Sequence, residues 1–178
     1  MTTFLEQLLN LPVISRVRRN HALEHATVHI LSKRNPDKTI YARSQPSGLV
    51  VYGDLPTEEV AKAVNEALAR LRRGEHELAI HPNCGTNLVT AGGLSGLAAM
   101  LTMGVQQIGH KKRDLRQWLS SLPLVILAAT VALLVAQPLG QTLQLHVTTE
   151  AEVGNLHMTG ISRRSQGRLV FHVVNTAT

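Results

Sequence analysis

The sequence predicts an α+β protein with a membrane part: a small helix-hairpin-helix-strand domain, a two-helix transmembrane hairpin, and a β-rich tail that can join the same sheet. Two stretches of the 178 residues, 78–110 and 117–149, contain no Asp, Glu, Lys or Arg. In the rest of the sequence, apolar residues recur with helical or β periodicity over short segments that are bounded by Pro, Gly or Asn. We therefore place the α+β domain at 1–87, the hairpin at 88–140 and the tail at 141–178.

The first domain begins with helical patterns. Phe4 to Leu11 is a short apolar segment that fits either a core helix or the membrane surface. A helix is expected from Pro12 to about Arg34, because proline suits the first turn and Asn35-Pro36 ends the pattern. A second helix is expected from Pro56 to Gly74. Its apolar residues recur at the spacing of a helix packed on one side, namely Val60, Val64, Ala67, Leu68 and Leu71.

Three further segments of this domain resemble strands, as do two segments of the tail. Thr39–Arg43 and Leu49–Tyr52 form a hairpin through the turn Gln45-Pro46-Ser47-Gly48. Leu78–Ile80 fits a buried strand. In the tail, apolar and polar residues alternate over 143–147 and again over 168–173. An even number of crossings returns the tail to the side of the first domain, so these strands can extend its sheet.

The charge-free stretches predict two membrane spans. Leu88–Ile108 and Trp118–Leu139 would each be a little over 30 Å long as helices, at about 1.5 Å per residue, and a bilayer core is roughly 30 Å thick. The short turn 111–116 joins them as an antiparallel hairpin, so the lipid bilayer is the first expected partner. Gly92 and Gly96 form a G-x-x-x-G step, with Gly104 two turns further on, which favours close helix contact within the hairpin or between subunits of a homo-oligomer or membrane complex. The alternative is the ordinary use of glycine in membrane helices.

Net charge argues against a nucleic-acid partner. The formal charge is +6, but residues 1–77 carry eleven Lys/Arg against nine Asp/Glu, while 111–116 carry four against one. The excess is thus concentrated in the turn, and with five aromatic residues the chain has no stacking platform for bases. A single cysteine excludes an internal disulfide.

The segment His21-Ala22-Leu23-Glu24-His25, followed by His29, is the strongest candidate for chemistry. On a helix, His25 lies about 40° and His29 about 80° from His21, while Glu24 lies about 60° to the other side. Two histidines at i and i+4 can bind one metal ion, and a neighbouring glutamate can act as general base. This pattern predicts a site for zinc or another transition metal, with His21 and His25 as ligands and Glu24 as the catalytic residue.

The loop His81-Pro82-Asn83-Cys84-Gly85-Thr86-Asn87 supplies the best further ligands, because His-x-x-Cys spacing can turn both side chains toward one point. We expect His81 and Cys84 to complete the set, with His29 as a ligand or supporting residue. Both segments also have a structural interpretation. The histidine face can be a hydrogen-bonded polar face with Glu24 paired to Arg18 or Arg19, and the loop a turn that caps the first span.

The chain as a whole resembles a family of bacterial two-span membrane proteins known as a domain of unknown function. The resemblance is carried by R-N-H-A-L-E-H-A-T-V-H-I-L, G-D-L-P-T-E-E-V and L-A-I-H-P-N-C-G-T-N-L, with H-P-N-C-G-T-N the most specific. It implies a membrane location and no activity. H-x-x-E-H also resembles the inverted zinc peptidases. Those enzymes take a further glutamate from far downstream, whereas here no acidic residue lies between Glu77 and Asp114.

These observations predict a membrane-anchored metal-binding protein with two alternatives for its activity. The first is a zinc-dependent, peptidase-like hydrolase that uses Glu24. The second is a non-catalytic protein that binds a metal or cofactor, or an assembly subunit of a larger membrane complex. Translocating a basic domain ahead of its anchor is difficult, so we expect both termini in the cytoplasm, although the basic turn 111–116 favours the opposite orientation.

Overall fold

A computed structural model describes residues 3–105 and 115–178, with no side chains at 115–117. The chain divides into two compact units, 1–81 together with 144–178, and 82–143. The protein is α+β, as predicted. In chain order the elements are α1 (Phe4–Leu9), α2 (Pro12–Arg34), β1 (Tyr41–Gln45), β2 (Gly48–Tyr52), α3 (Thr57–Arg72), a 3₁₀ turn (His76–Ala79), α4 (Gly85–Val105), α5 (Leu115–Leu143), a π turn (Gln144–Thr148), β3 (His157–Gln166) and β4 (Leu169–Ala177).

The first unit contains an antiparallel sheet in the order β1-β2-β4-β3. The tail therefore joins the sheet of the N-terminal domain, as the alternating pattern indicated. Its strand β4 lies between β2 and β3, with Val51 opposite His172. The predicted turn at 45–48 connects β1 and β2. Gly48 ends that turn at φ +148°, and a Cβ there would collide with the Val174 carbonyl, so only glycine fits.

Helices α2 and α3 pack against each other and against the sheet. The five apolar residues predicted for the buried face of α3 are all buried. They meet Leu23 and Leu31 of α2, Leu49 and Val51 of β2, and Val174 of β4 in one core cluster. Because α2 supplies both core residues and the histidines, packing of its apolar face fixes the position of its polar face.

Two predicted strands are wrong. Leu78–Ile80 lies at the end of a 3₁₀ turn over His76–Ala79. Residues 143–147 are the end of α5 and a π turn, in which the Gln144 carbonyl accepts from Thr149 N at 3.0 Å and from Thr149 Oγ1 at 2.8 Å. Alternation over five residues fits a helix end as well as a strand. The strand β3 was not predicted, and its partner β4 extends well beyond the predicted 168–173.

The second unit contains α4 and α5, which are long and apolar enough to cross a membrane. They pack along their length, and Ser95 Oγ donates to the Ala129 carbonyl at 3.5 Å. The two helices approach each other closely at Gly140, where a Cβ would collide with Asn87 Oδ1 and lie 3.1 Å from Asn87 Cα.

The predicted glycine contacts are not made inside this hairpin. A Cβ at Gly92, Gly96 or Gly104 would meet no atom of the described residues within 4 Å. Close packing within the hairpin, one of the predicted alternatives, is therefore wrong for Gly92 and Gly96, whereas Gly104 lies two residues before the part of the chain that is not described. The basic turn, with Lys111, Lys112 and Arg113, lies outside the described residues, as does the side chain of Arg116.

Candidate metal centre

Helix α2 presents three histidines whose rings are anchored to backbone carbonyls. His21 Nδ1 donates to the Thr148 carbonyl at 2.9 Å, and His25 Nδ1 donates to Ala79 at 2.6 Å. His29 Nε2 donates to Ile80 at 2.9 Å. A carbonyl oxygen accepts only, so the bonded nitrogen of each ring carries the proton. In the neutral ring the other nitrogen then carries a lone pair.

His81 joins these rings from the segment that follows the 3₁₀ turn. Its ring centroid lies 4.7 Å from that of His29 and 5.7 Å from that of His25. His21 and His25 are closer still, at 4.4 Å. The first unit therefore brings together the two histidines predicted as helix ligands, the predicted loop histidine and His29; these four rings are called the histidine cluster below.

Electrostatics keep His81 in its neutral form. Burial, together with smaller contributions from the neighbouring rings of His29 and His25, lowers the pKa of His81 to about 4. A neutral imidazole is the form that binds metals. The His81 backbone N–H donates to Gln144 Oε1 at 2.9 Å, so a fully buried side chain fixes the residue's backbone.

The geometry of His21 and His25 fits binding of one ion. Both use Nδ1 for the backbone, so both direct Nε2 away from it, and their ligand atoms lie within 4.8 Å of each other. Zinc binds imidazole nitrogen at about 2.0–2.1 Å, so two nitrogens on one ion lie within about 4 Å of each other. The two ligand atoms therefore lie within about 1 Å of the separation that one ion requires.

Glu24 has two neighbours. Its Oε2 accepts from the Ser44 backbone N–H at 3.0 Å and lies 4.0 Å from His21 Nε2. Arg18 and Arg19 instead pair with Glu150, at 3.4 Å and 2.7 Å. The alternative in which Glu24 pairs with one of these arginines is therefore wrong. The carboxylate connects β1 to the histidine face of α2.

Cys84 belongs to the second unit, where it immediately precedes α4. Its sulfur accepts from the Thr86 backbone N–H at 3.4 Å, and the residue is buried. The thiolate is the form of cysteine that binds metals. Cys84 follows His81 by three residues, so their Cα atoms are at most about 11 Å apart. Asn87, inside the first turn of α4, donates its Nδ2 to the Pro82 carbonyl at 2.7 Å.

Sequence reasoning missed the residues that anchor the cluster. The segment 144–150 provides the Thr148 carbonyl for His21 and the Gln144 side chain for His81. Arg18 binds the same segment, donating to Val147 at 2.8 Å and to Thr149 at 2.9 Å. The available signal was a glutamine at the end of an apolar helix, where a buried amide needs a partner.

The comparisons agree with the motif-based resemblance. Residues 16–161 match the model of DUF6391, a domain of unknown function. An uncharacterized protein of Picosynechococcus sp. (strain ATCC 27264 / PCC 7002 / PR-6) is 34% identical over 146 residues, which cover 75% of this chain and 65% of that protein. The chain thus spans slightly less than two thirds of this relative's length. No solved structure matches. Because the matched region covers most of the chain and contains all four histidines of the cluster, the protein belongs to the DUF6391 family.

Proposed function

We propose that the protein is a two-span membrane protein that binds one transition-metal ion, zinc in the first place, at the histidine cluster. The ligands are His21, His25 and His81, with Cys84 as the fourth. His29, whose Nε2 is bonded to the Ile80 carbonyl, packs on His81 and positions it.

One observation carries this proposal: each histidine of α2 donates one ring N–H to a backbone carbonyl. Histidines that bind metals almost always have such a partner, because it fixes the tautomer and the ring orientation. In each neutral ring this bond leaves the other nitrogen with its lone pair, and a lone pair is what a metal ion binds. The low pKa of His81 supports the proposal, since a neutral ring needs no deprotonation before it binds an ion.

The test is metal content and coordination of the purified full-length protein. We expect about one metal ion per chain, and we expect the double variant His21→Gln, His25→Gln to lose it. Glutamine retains a side-chain N–H for the carbonyls, which limits damage to the fold. The control is His157→Gln, because His157 is exposed on β3. Full occupancy in the double variant, measured by elemental analysis, would reject the site.

The proximity of Glu24 to His21 supports hydrolysis as a second candidate function. A carboxylate beside a metal-bound water can accept its proton. Four protein ligands would close the site and indicate a structural or binding role, whereas three would leave a position for water. The variant Glu24→Gln keeps an oxygen for Ser44 N–H. It abolishes hydrolysis if Glu24 is a base. A variant with unchanged metal affinity and unchanged activity would reject both a catalytic and a positioning role.

We further propose that both termini are cytoplasmic. Pairing of β2 with β4 supports a common side for the N-terminal domain and the tail. New cysteines in the turn 111–116 and at Ser165, on a Cys84→Ser background, test the side with a membrane-impermeant reagent on intact cells. We expect labelling of the turn alone; labelling of Ser165→Cys alone would overturn the orientation.

Partners beyond the bilayer are also a proposal. The face of α4 that carries Gly92 and Gly96 is not covered by other described residues, because a Cβ at either glycine would meet none of their atoms within 4 Å. We place contacts with a second copy or with a membrane complex there, since glycine allows close approach of helices in lipid.

A further inference from the structure

We propose that α1 and the residues that join it to α2 insert into the headgroup region of the bilayer and anchor the first unit to the membrane surface. This anchor surface consists of five apolar residues, Phe4, Leu5, Leu8, Leu11 and Val13. The inference rests on α4 and α5 crossing the bilayer, and it is independent of metal binding.

The anchor surface is apolar and exposed. Phe4 is 81% exposed and Val13 71%, and the three leucines are each about half exposed. Phe4, Leu5 and Leu8 lie on one side of α1, and no residue of α1 is buried. The helix is nevertheless well defined, because Thr3 and Glu6 form a reciprocal capping box. Helix α1 is thus capped, yet none of its apolar residues belongs to the core cluster of the first unit.

The position of α1 identifies the bilayer as the occupant. Ser15, just after the anchor surface, donates its hydroxyl to Glu150 at 2.9 Å. Arg18, one turn further, donates to the Val147 carbonyl. Residues 144–150 directly follow the candidate span α5, which ends at Leu143. The start of α2 is therefore bonded to the segment that leaves the membrane, and α1 lies directly before it in the chain.

The other end of the same helix supports this placement. His25 and His29 of α2 bond to Ala79 and Ile80, and Gly85, where α4 begins, is five residues further along the chain. Helix α2 thus contacts both chain segments that adjoin the spans. These contacts lie about 15 Å apart along α2, at about 1.5 Å per residue, so both chain segments that lead into the spans are bonded to the same helix.

The size of the anchor surface favours lipid over a second copy of the chain. A stable dimer interface buries roughly 800 Å² per partner, and a six-residue helix with two adjoining residues presents far less than that. Insertion of a few Phe and Leu side chains by 5–10 Å into the interface needs no such area. Since the bilayer is present at this level whenever the spans are inserted, it is the occupant that the surface fits.

The experiment uses the full chain in liposomes and tryptophan fluorescence. Trp118 of α5 is the one tryptophan of the sequence, and its quenching by brominated lipid first establishes that the spans are inserted. On a Trp118→Phe background, Phe4→Trp is then compared with Glu6→Trp, which lies on the opposite side of α1 and whose backbone N–H still donates to Thr3 Oγ1. We expect Phe4→Trp to lose most of its emission in lipid brominated near the headgroups, with weaker loss in lipid brominated deep in the chains.

The outcomes are distinct. Strong quenching at position 4 with little at position 6 supports the proposal. Unquenched, red-shifted emission at position 4 means that the surface is in water and overturns it. Unquenched, blue-shifted emission means contact with a protein, a second copy included, and overturns it as well. Failure of Trp118 itself to be quenched would instead refute the membrane spans on which the inference rests.

Discussion

Replacing Arg18 with methionine should destabilise the first unit strongly, because this side chain holds the segment that follows α5. Its guanidinium donates to the carbonyls of Val147 at 2.8 Å and Thr149 at 2.9 Å, and more weakly to His146 at 3.4 Å. Only 12% of the side chain is exposed. Methionine keeps most of the apolar contact of the arginine stem while removing every donor.

The expected loss follows from those bonds. A hydrogen bond to a charged group contributes about 1.5–3 kcal/mol, and two well-formed bonds are lost, with partial recovery by water at Val147. The ion pair with Glu150 adds little, because Arg19 remains beside the same carboxylate at 2.7 Å. We expect a loss of roughly 3 kcal/mol in the free energy of unfolding. For a unit of 116 residues, 81 plus 35, this lowers Tm by about 10 °C at about 4 °C per kcal/mol.

The assay is thermal unfolding of the detergent-solubilised protein, monitored by near-UV circular dichroism or by amide hydrogen exchange. The matched control is Arg19→Met, which removes the same charge from the same region. This variant loses a hydrogen bond to the Glu150 side chain, whereas Arg18→Met loses hydrogen bonds to backbone carbonyls. We expect the control to lose less than about 1 kcal/mol. Equal losses in the two variants would refute the reasoning, since the carbonyl contacts would then contribute nothing beyond charge.

Two further predictions concern close packing and pH. Gly140→Ala places a methyl group against Asn87 Cα at 3.1 Å and should cost about 1–3 kcal/mol in thermal unfolding, whereas Gly93→Ala, which meets no described atom within 4 Å, should cost nothing. Burial lowers the pKa of His172 below 6.5, and Arg163 acts in the same direction. The unfolded chain then binds more protons below about pH 6.5, so stability falls as pH drops from about 7 to about 5. His172→Gln should lose less stability over that range than the unmodified protein, and an unchanged pH dependence would contradict this assignment.

The helices were predictable because their signals are local. Pro12 and Asn35 bound α2 at the residues where the helix begins and ends, and the spacing of valine and leucine identified the buried face of α3. The same periodicity placed His21 and His25 together. These features depend on neighbours within a few residues, which a single sequence records directly.

The carbonyl partners of the histidines were not predictable, because they come from segments far away in the chain. His25 bonds to a residue 54 positions later and His21 to one 127 positions later. The second of these, Thr148, directly follows 143–147, where a five-residue alternation suggested a strand. The π turn closed by the hydrogen bond from Thr149 to Gln144 has no sequence pattern that distinguishes it from a strand. The histidine face was therefore recognisable, whereas its anchoring was not.

The strand order also constrains how the protein is made. Strand β2 is synthesised early and β4 at the end of the chain, and the two are direct neighbours in the sheet. Until the ribosome has completed both apolar helices and the tail, the hairpin β1–β2 has an unpaired edge and α2 has no partner for Arg18 or His21. We therefore expect a nascent chain stopped before residue 144 to expose that edge, to be readily proteolysed, and to become resistant only once the last strand has been added.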